Sequence, residues 1–142
     1  MIHANELRIG NYVLINGTCL QVNSIDGGKG LDGTSIICYL PGGVESKKDC
    51  GSDTVLPVLI TDEILACCGF VYHDYFKCWQ KKVDGKGTEM DINRDYDVVD
   101  FLRKPLVKNV RSLHQLQNIF FALKGKELNF FQPIARVTQN VN

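Results

Sequence analysis

Residues 7–16 read as a first strand region, with Tyr12, Leu14 and Asn16 on one side of the pleat and Val13 and Ile15 on the other. Asn16-Gly17 follows at once. A two-residue type I′ turn needs positive φ at both central positions, and Asn and Gly adopt it with least strain, so residues 18–25 are predicted to return as the second strand of a hairpin. A glycine-rich loop over 26–33, a third strand over 35–40 and a polar loop over 41–53 complete this stretch. Three short strands around tight turns predict a small, curled, barrel-like sheet of the SH3 kind.

The pattern changes near residue 60. Thr61 is suited to cap a short helix, Asp62 and Glu63 place negative charge at its positive end, and Gly69 suits the position after its last turn. Ile64, Leu65 and Cys68 form its apolar face. Residues 70–72, 75–83 and 88–93 then read as strands, with a turn over 84–87. Met90, Ile92, Tyr96 and Val98 fall at period two against Asp91, Asn93, Asp95 and Asp97, the pattern of a sheet with one dry and one wet side. The last element is a helix. Ser112 to Gln115 has the form of a capping box, Leu113, Leu116, Phe120 and Leu123 recur at helical spacing with Ile119 widening the stripe, and Gly125 closes it. Residues 127–131 are expected to return as a strand, and 132–142 to form a flexible tail.

The expected fold is therefore α+β: one domain over 1–131, with a β-rich part over 1–60 and an α/β part over 61–131. It comprises a small SH3-like, barrel-like sheet, a short middle helix, a β-hairpin region and a C-terminal helix packed on the sheet. A chain of 142 residues with 44% apolar and 23% charged side chains has enough apolar material for such a core. Its longest apolar runs are a few residues, so no membrane association is expected. No secretory signal is evident at the start, which points to a cytoplasmic protein with reduced thiols among its six cysteines. No C-x-x-C occurs, and neither a metal nor a cofactor is expected.

Three segments together carry a resemblance. They are Glu6-Leu7-Arg8-Ile9-Gly10-Asn11-Tyr12-Val13, then Ile60-Thr61-Asp62-Glu63-Ile64-Leu65 with Cys68-Gly69-Phe70, and last the run from His114 through Gln115-Leu116-Gln117-Asn118-Ile119-Phe120-Phe121-Ala122-Leu123-Lys124-Gly125-Lys126-Glu127 to Leu128. The chain resembles a family of short proteins encoded by gut bacteria, their phages and mobile elements. The resemblance implies an accessory protein working inside the cell, and it brings no catalytic residue, cofactor or activity with it.

Motifs with chemical meaning mostly fail in context. Gly28-Lys29-Gly30-Leu31-Asp32-Gly33 matches G-x-G-x-x-G, but a β-rich stretch follows where a dinucleotide site needs a helix. Asp91-Ile92-Asn93-Arg94-Asp95 opens like a calcium loop, yet its sixth position is Tyr96 and its twelfth Leu102. No G-x-S-x-G or local Cys/His signature marks a nucleophile, so no catalytic residue is assigned.

Charge is more informative. Residues 1–102 carry nine basic and fifteen acidic side chains, whereas residues 103–142 carry seven basic ones and Glu127. Such halves attract each other within a fold, or present a surface to an anionic partner. The candidate interaction surface comprises Lys77, Trp79 and Lys81 on one strand face, the basic residues Arg103, Lys104, Lys108 and Arg111, and His114, Gln117 and Phe121 toward the polar side of the last helix. The leading expectation is a non-catalytic binding or adaptor module with a protein partner or self-association. Its alternatives are a nucleic-acid-binding accessory protein using the basic segment, with Trp79 as a stacking platform, and a small hydrolase. An adaptor requires an exposed apolar patch, a nucleic-acid binder a single basic surface, and an enzyme a deep pocket with convergent polar groups.

Overall fold

The computed structural model describes residue 2 and residues 4–26, 35–39, 48–51, 55–82 and 88–131. Over these residues the chain is α+β, with two five-stranded antiparallel sheets and two α-helices. It divides into two compact units, separated between Val58 and Leu59. The glycine-rich motif at 28–33, the turn at 84–87 and the tail at 132–142 lie outside the described residues.

In the first unit, a 3₁₀ turn (Ala4–Glu6) leads to β1 (Tyr12–Ile15), β2 (Thr18–Asp26), β3 (Ser35–Tyr39), β4 (Lys48–Gly51) and β5 (Leu56–Pro57). The Asn16-Gly17 hairpin forms as its residue types dictate, with φ of 51° and 77° and Ile15 opposite Thr18. Strand β1 starts later than the alternation implies, because residues 8–11 form a turn. Gly10 takes φ of 97°, and the Asn11 side chain accepts a hydrogen bond from the Arg8 amide at 2.6 Å. Asn11 is fully buried, so these residues of the first resemblance segment have a structural reason for their identity. Val13 faces Leu20 across the hairpin, and with Ile2, Leu7, Ile15, Val22 and Val55 they form the core.

The strand order is β4-β3-β2-β1-β5, an open ladder with no closing pairing among the described residues. Strand β4 lies inside the stretch expected to be a polar loop. Its pairing with β3 supplies there what its side-chain pattern does not announce.

The second unit opens with α1 (Asp62–Cys67). Thr61 Oγ1 accepts from the Ile64 amide at 3.2 Å, and Gly69 at φ of 87° ends the helix in a Schellman turn, with Gly69 N–H to Ala66 O and Phe70 N–H to Leu65 O. Phe70 and Leu65, the pair that this motif brings together, are both buried. Strands β6 (Val71–His73), β7 (Cys78–Lys82), β8 (Thr88–Asn93), β9 (Val98–Val99) and β10 (Pro105–Val107) form a meander in sequence order. The alternation read from Met90 to Val98 does not continue as one strand. Asn93 Oδ1 accepts from the amides of Asp95 and Asp97, folding 94–97 into a turn in which Tyr96 has φ of 60°. Asp97 in turn accepts from the amide of Asn109.

Helix α2 (Leu113–Lys124) ends at Gly125 in the left-handed conformation, as expected, but its start differs from a capping box. The Ser112 hydroxyl makes no capping bond and is buried without a partner, while Gln115 Oε1 reaches the amide of Arg111 instead. Ser112 is held by its backbone, in a bridge to Leu59. The buried face of α2 is also turned from the apolar stripe. It comprises Leu113, His114, Leu116, Gln117 and Phe120, while Leu123 is half exposed. Residues 127–131 do not form a strand. No described helix is long and apolar enough to cross a membrane.

The two helix starts can be told apart by experiment. Thr61→Ala is expected to cost about 1 kcal/mol in a denaturant titration, the usual loss for a working cap. Ser112→Ala, which removes an unpartnered buried hydroxyl, is expected to cost under about 0.5 kcal/mol or to stabilise. Equal losses at both positions would contradict the difference between them.

Candidate aromatic cleft

The register of β6 on β7 sets Tyr72 directly opposite Trp79, and β8 adds Ile92 beside it on the same face. The Tyr72 and Trp79 rings meet edge to face, 5.3 Å between centroids and 60° between planes. Both rings are half-buried, so part of each stays open to solvent. They form one wall of an open cleft of about 630 Å³, completed by Asp62, Asp74, Lys77, Arg94 and Tyr96.

Three further segments supply these residues. Asp62 begins α1, Asp74 and Lys77 come from the β6–β7 turn, and Arg94 and Tyr96 from the β8–β9 turn. The Tyr96 hydroxyl donates to Asp62 Oδ1 at 2.8 Å, tying the second turn to the helix. Burial, with the hydrogen bond to Asp62 and its charge, raises the Tyr96 hydroxyl above the usual tyrosine range, so it remains a proton donor at neutral pH. Lys77 Nζ pairs with Asp74 at 3.0 Å across the turn. Lys77 and Tyr96 are both held at positive φ, which is unfavourable for their side chains and recurs at sites where position matters more than local ease.

Among the described residues no hydrogen bond engages Trp79 Nε1–H, the Tyr72 hydroxyl or the Arg94 guanidinium. The cleft therefore offers donors. Its lining is neutral overall, with Asp62 and Asp74 against Lys77 and Arg94.

The candidates from sequence are dispersed. Trp79 and Lys77 line the cleft, though Lys77 sits in the turn rather than on a strand face. Lys81 is half-buried and donates from Nζ to the Cys68 carbonyl at 3.0 Å, at the C-terminal end of α1. Gly69 leaves room for it, since a Cβ there would stand 2.9 Å from that ammonium. Arg103 is exposed but engaged. Its Nη1 lies 3.0 Å from Cys78 Sγ and 3.8 Å from Asp91 Oδ2, and its guanidinium covers the Phe76 ring at 5.0 Å. Lys104, Lys108 and Arg111 are exposed, and none of them lines the aromatic cleft. His114 and Gln117, expected toward the polar side, are buried, because α2 is covered beyond its apolar stripe. Phe121 is 42% exposed.

Tyr72, Tyr96, Asp62, Asp74 and Arg94 were not among the candidates. The alternation around Trp79 and the Asp62 cap position held partial signals, but only the folded turns bring these residues together. A second cleft of about 450 Å³ is mixed, with exposed Phe101, Leu106 and Leu123 around buried Met90, Val98 and Val99, and with Asp91, Asp100 and Lys124 also in its lining.

Among the described residues no group of three or more His, Cys, Asp or Glu side chains is placed to hold a metal. Cys19 and Cys68 are buried, which pushes both thiols up to about 12. Asp91 is also raised, mainly by burial, against the lowering influence of Arg103, Gln80, His73 and Lys124.

Comparison with protein-family models, with curated proteins and with solved structures finds no match to this chain.

The Asp91 shift has a definite sign. Its folded-state pKa lies above the ordinary value, so the fold binds this proton more tightly than the unfolded chain does. The wild type is expected to gain stability relative to Asp91→Asn as pH falls through the raised value, with the gain complete below the ordinary aspartate value. Denaturant titrations of both proteins across that window check it. A difference independent of pH, or one moving the other way, would contradict the burial of Asp91.

Proposed function

We propose that this protein is a non-catalytic binding module whose aromatic cleft docks a short segment of a protein partner. The observation that carries the reading is the cleft itself: Tyr72, Trp79 and Tyr96 around an open groove, with the Trp79 indole N–H, the Tyr72 hydroxyl and Arg94 unengaged among the described residues. Two of its charged or titratable pairs are already satisfied by each other, Asp62 with Tyr96 and Asp74 with Lys77, so neither is poised as a general base. Deeply buried, high-pKa thiols at Cys19 and Cys68 are equally unsuited to nucleophilic work. The exposed apolar residues Phe101, Leu106 and Leu123 support a second contact, with a partner or with another copy.

Nucleic acid fits less well at this cleft. Its lining balances Asp62 and Asp74 against Lys77 and Arg94, so the cleft offers a polyanion no net positive charge. Arg103 from the basic segment is committed to Asp91, Cys78 and Phe76.

Finer readings accompany this one. A four-strand meander whose fifth strand returns to pair with β1 supports an SH3-like identity for the first unit. The three resemblance segments support a role in a phage or mobile element of gut bacteria, in the host cytoplasm.

Trp79 is the sole tryptophan, so its emission reports on the cleft. Peptides selected from a random library are expected to shift that emission saturably, and Tyr72→Ala to weaken them about tenfold, the scale of a lost aromatic contact. Single-stranded oligonucleotides that bind with a steep salt dependence, while peptides do not, would overturn the reading in favour of the basic segment.

A further inference from the structure

Resting on that reading, we infer that the cleft takes a proline-containing segment in the polyproline II conformation, with a basic side chain at its edge. Trp79 Nε1–H, the Tyr72 hydroxyl and Arg94 are donors without hydrogen-bond acceptors among the described residues, and they stand beside ring faces that remain partly open. A fitting ligand supplies acceptors and compact apolar surface together.

A polyproline II segment has this composition. Its carbonyls are not used internally and point outward, its prolines donate no N–H, and its pyrrolidine rings are flat apolar bodies suited to the angle between two non-parallel aromatics. A regular α-helix turns its carbonyls inward to its own amides and leaves these donors unmet. A β-strand added at an edge would be held chiefly by its backbone, whereas the unengaged groups here belong to side chains. Proline also reduces the conformational freedom lost on docking, which matters for a shallow, open groove.

Charge supplies the second half of the inference. Lys77 is neutralised by Asp74, and Asp62 retains an oxygen beyond the one that accepts from Tyr96. With Glu63 following Asp62 in the first turn of α1, the Asp62 end of the cleft favours a cationic side chain. The ligand is then a proline-rich segment with an arginine or lysine, read by Asp62 at one end and by the Tyr72–Trp79 pair at the other.

Synthetic peptides and Trp79 emission test this directly. The probes are a blocked proline-rich peptide with one central arginine, a glycine–serine peptide of the same length carrying that arginine, and a proline-rich peptide with glutamate in its place. The arginine–proline peptide is expected to bind about tenfold tighter than the glycine–serine one and several-fold tighter than the glutamate one. Tyr72→Phe, which keeps the ring and removes one donor, is expected to weaken it about fivefold. Asp62→Asn, which still accepts from Tyr96, is expected to abolish the preference for arginine over glutamate while leaving the preference for proline. Far-ultraviolet circular dichroism confirms that each variant is folded. Equal affinity for the proline and glycine–serine peptides overturns the polyproline II inference while leaving a peptide module in place. If library-selected peptides also fail to perturb Trp79, the module reading fails as well.

Discussion

The cleft depends on one register. Strand β6 is three residues long, and its alignment on β7 places Tyr72 across from Trp79. A slip of one residue would turn Trp79 to the opposite face and bring Cys78 and Gln80, now buried, into its place. So short a pairing cannot hold by its own ladder, and its surroundings hold it. The Schellman turn at Gly69 delivers the chain into β6 at a fixed angle, with Phe70 anchored in the interior. The tight turn at 74–77 sets the return, closed by Asp74 and Lys77.

The remaining wall is built by polar side chains that satisfy backbone groups. Asn93 takes two amides and makes the β8–β9 turn, which carries Arg94 and Tyr96 to the cleft. Tyr96 then donates to Asp62 at the start of α1. Exposed ion pairs such as Lys77–Asp74 contribute at most about 1 kcal/mol each, so their value here lies in placing side chains rather than in stability. The same economy explains Arg103, whose several weak contacts draw part of the basic C-terminal charge onto Asp91.

What was legible in the sequence was local. The Asn16-Gly17 turn, the Thr61 cap and the glycines at 69 and 125 each follow from the conformational needs of one or two residues, and each is found. Features decided by distant partners were not legible. Strand β4 exists because β3 pairs with it. Ser112 has the spacing of a cap, yet its backbone bridge to Leu59 directs it elsewhere. His114 and Gln117 are polar and still buried. The alternation through Asp91 to Val98 was a true strand signal up to Asn93, where a side chain able to bind two amides broke it. The cleft was half legible: Trp79 and Lys77 stood out as an aromatic beside a cation, whereas Tyr72, Tyr96, Asp62 and Arg94 come together only through folded turns.

Binding at this cleft is read out by backbone amide chemical-shift mapping of the full chain during peptide titration. The indole N–H of Trp79 and the amides of Tyr72, Asp74, Lys77, Arg94 and Tyr96 should move together, while those of Lys104, Lys108 and Arg111 stay in place. Shifts confined to the basic segment, with the Trp79 indole unmoved, would contradict the account.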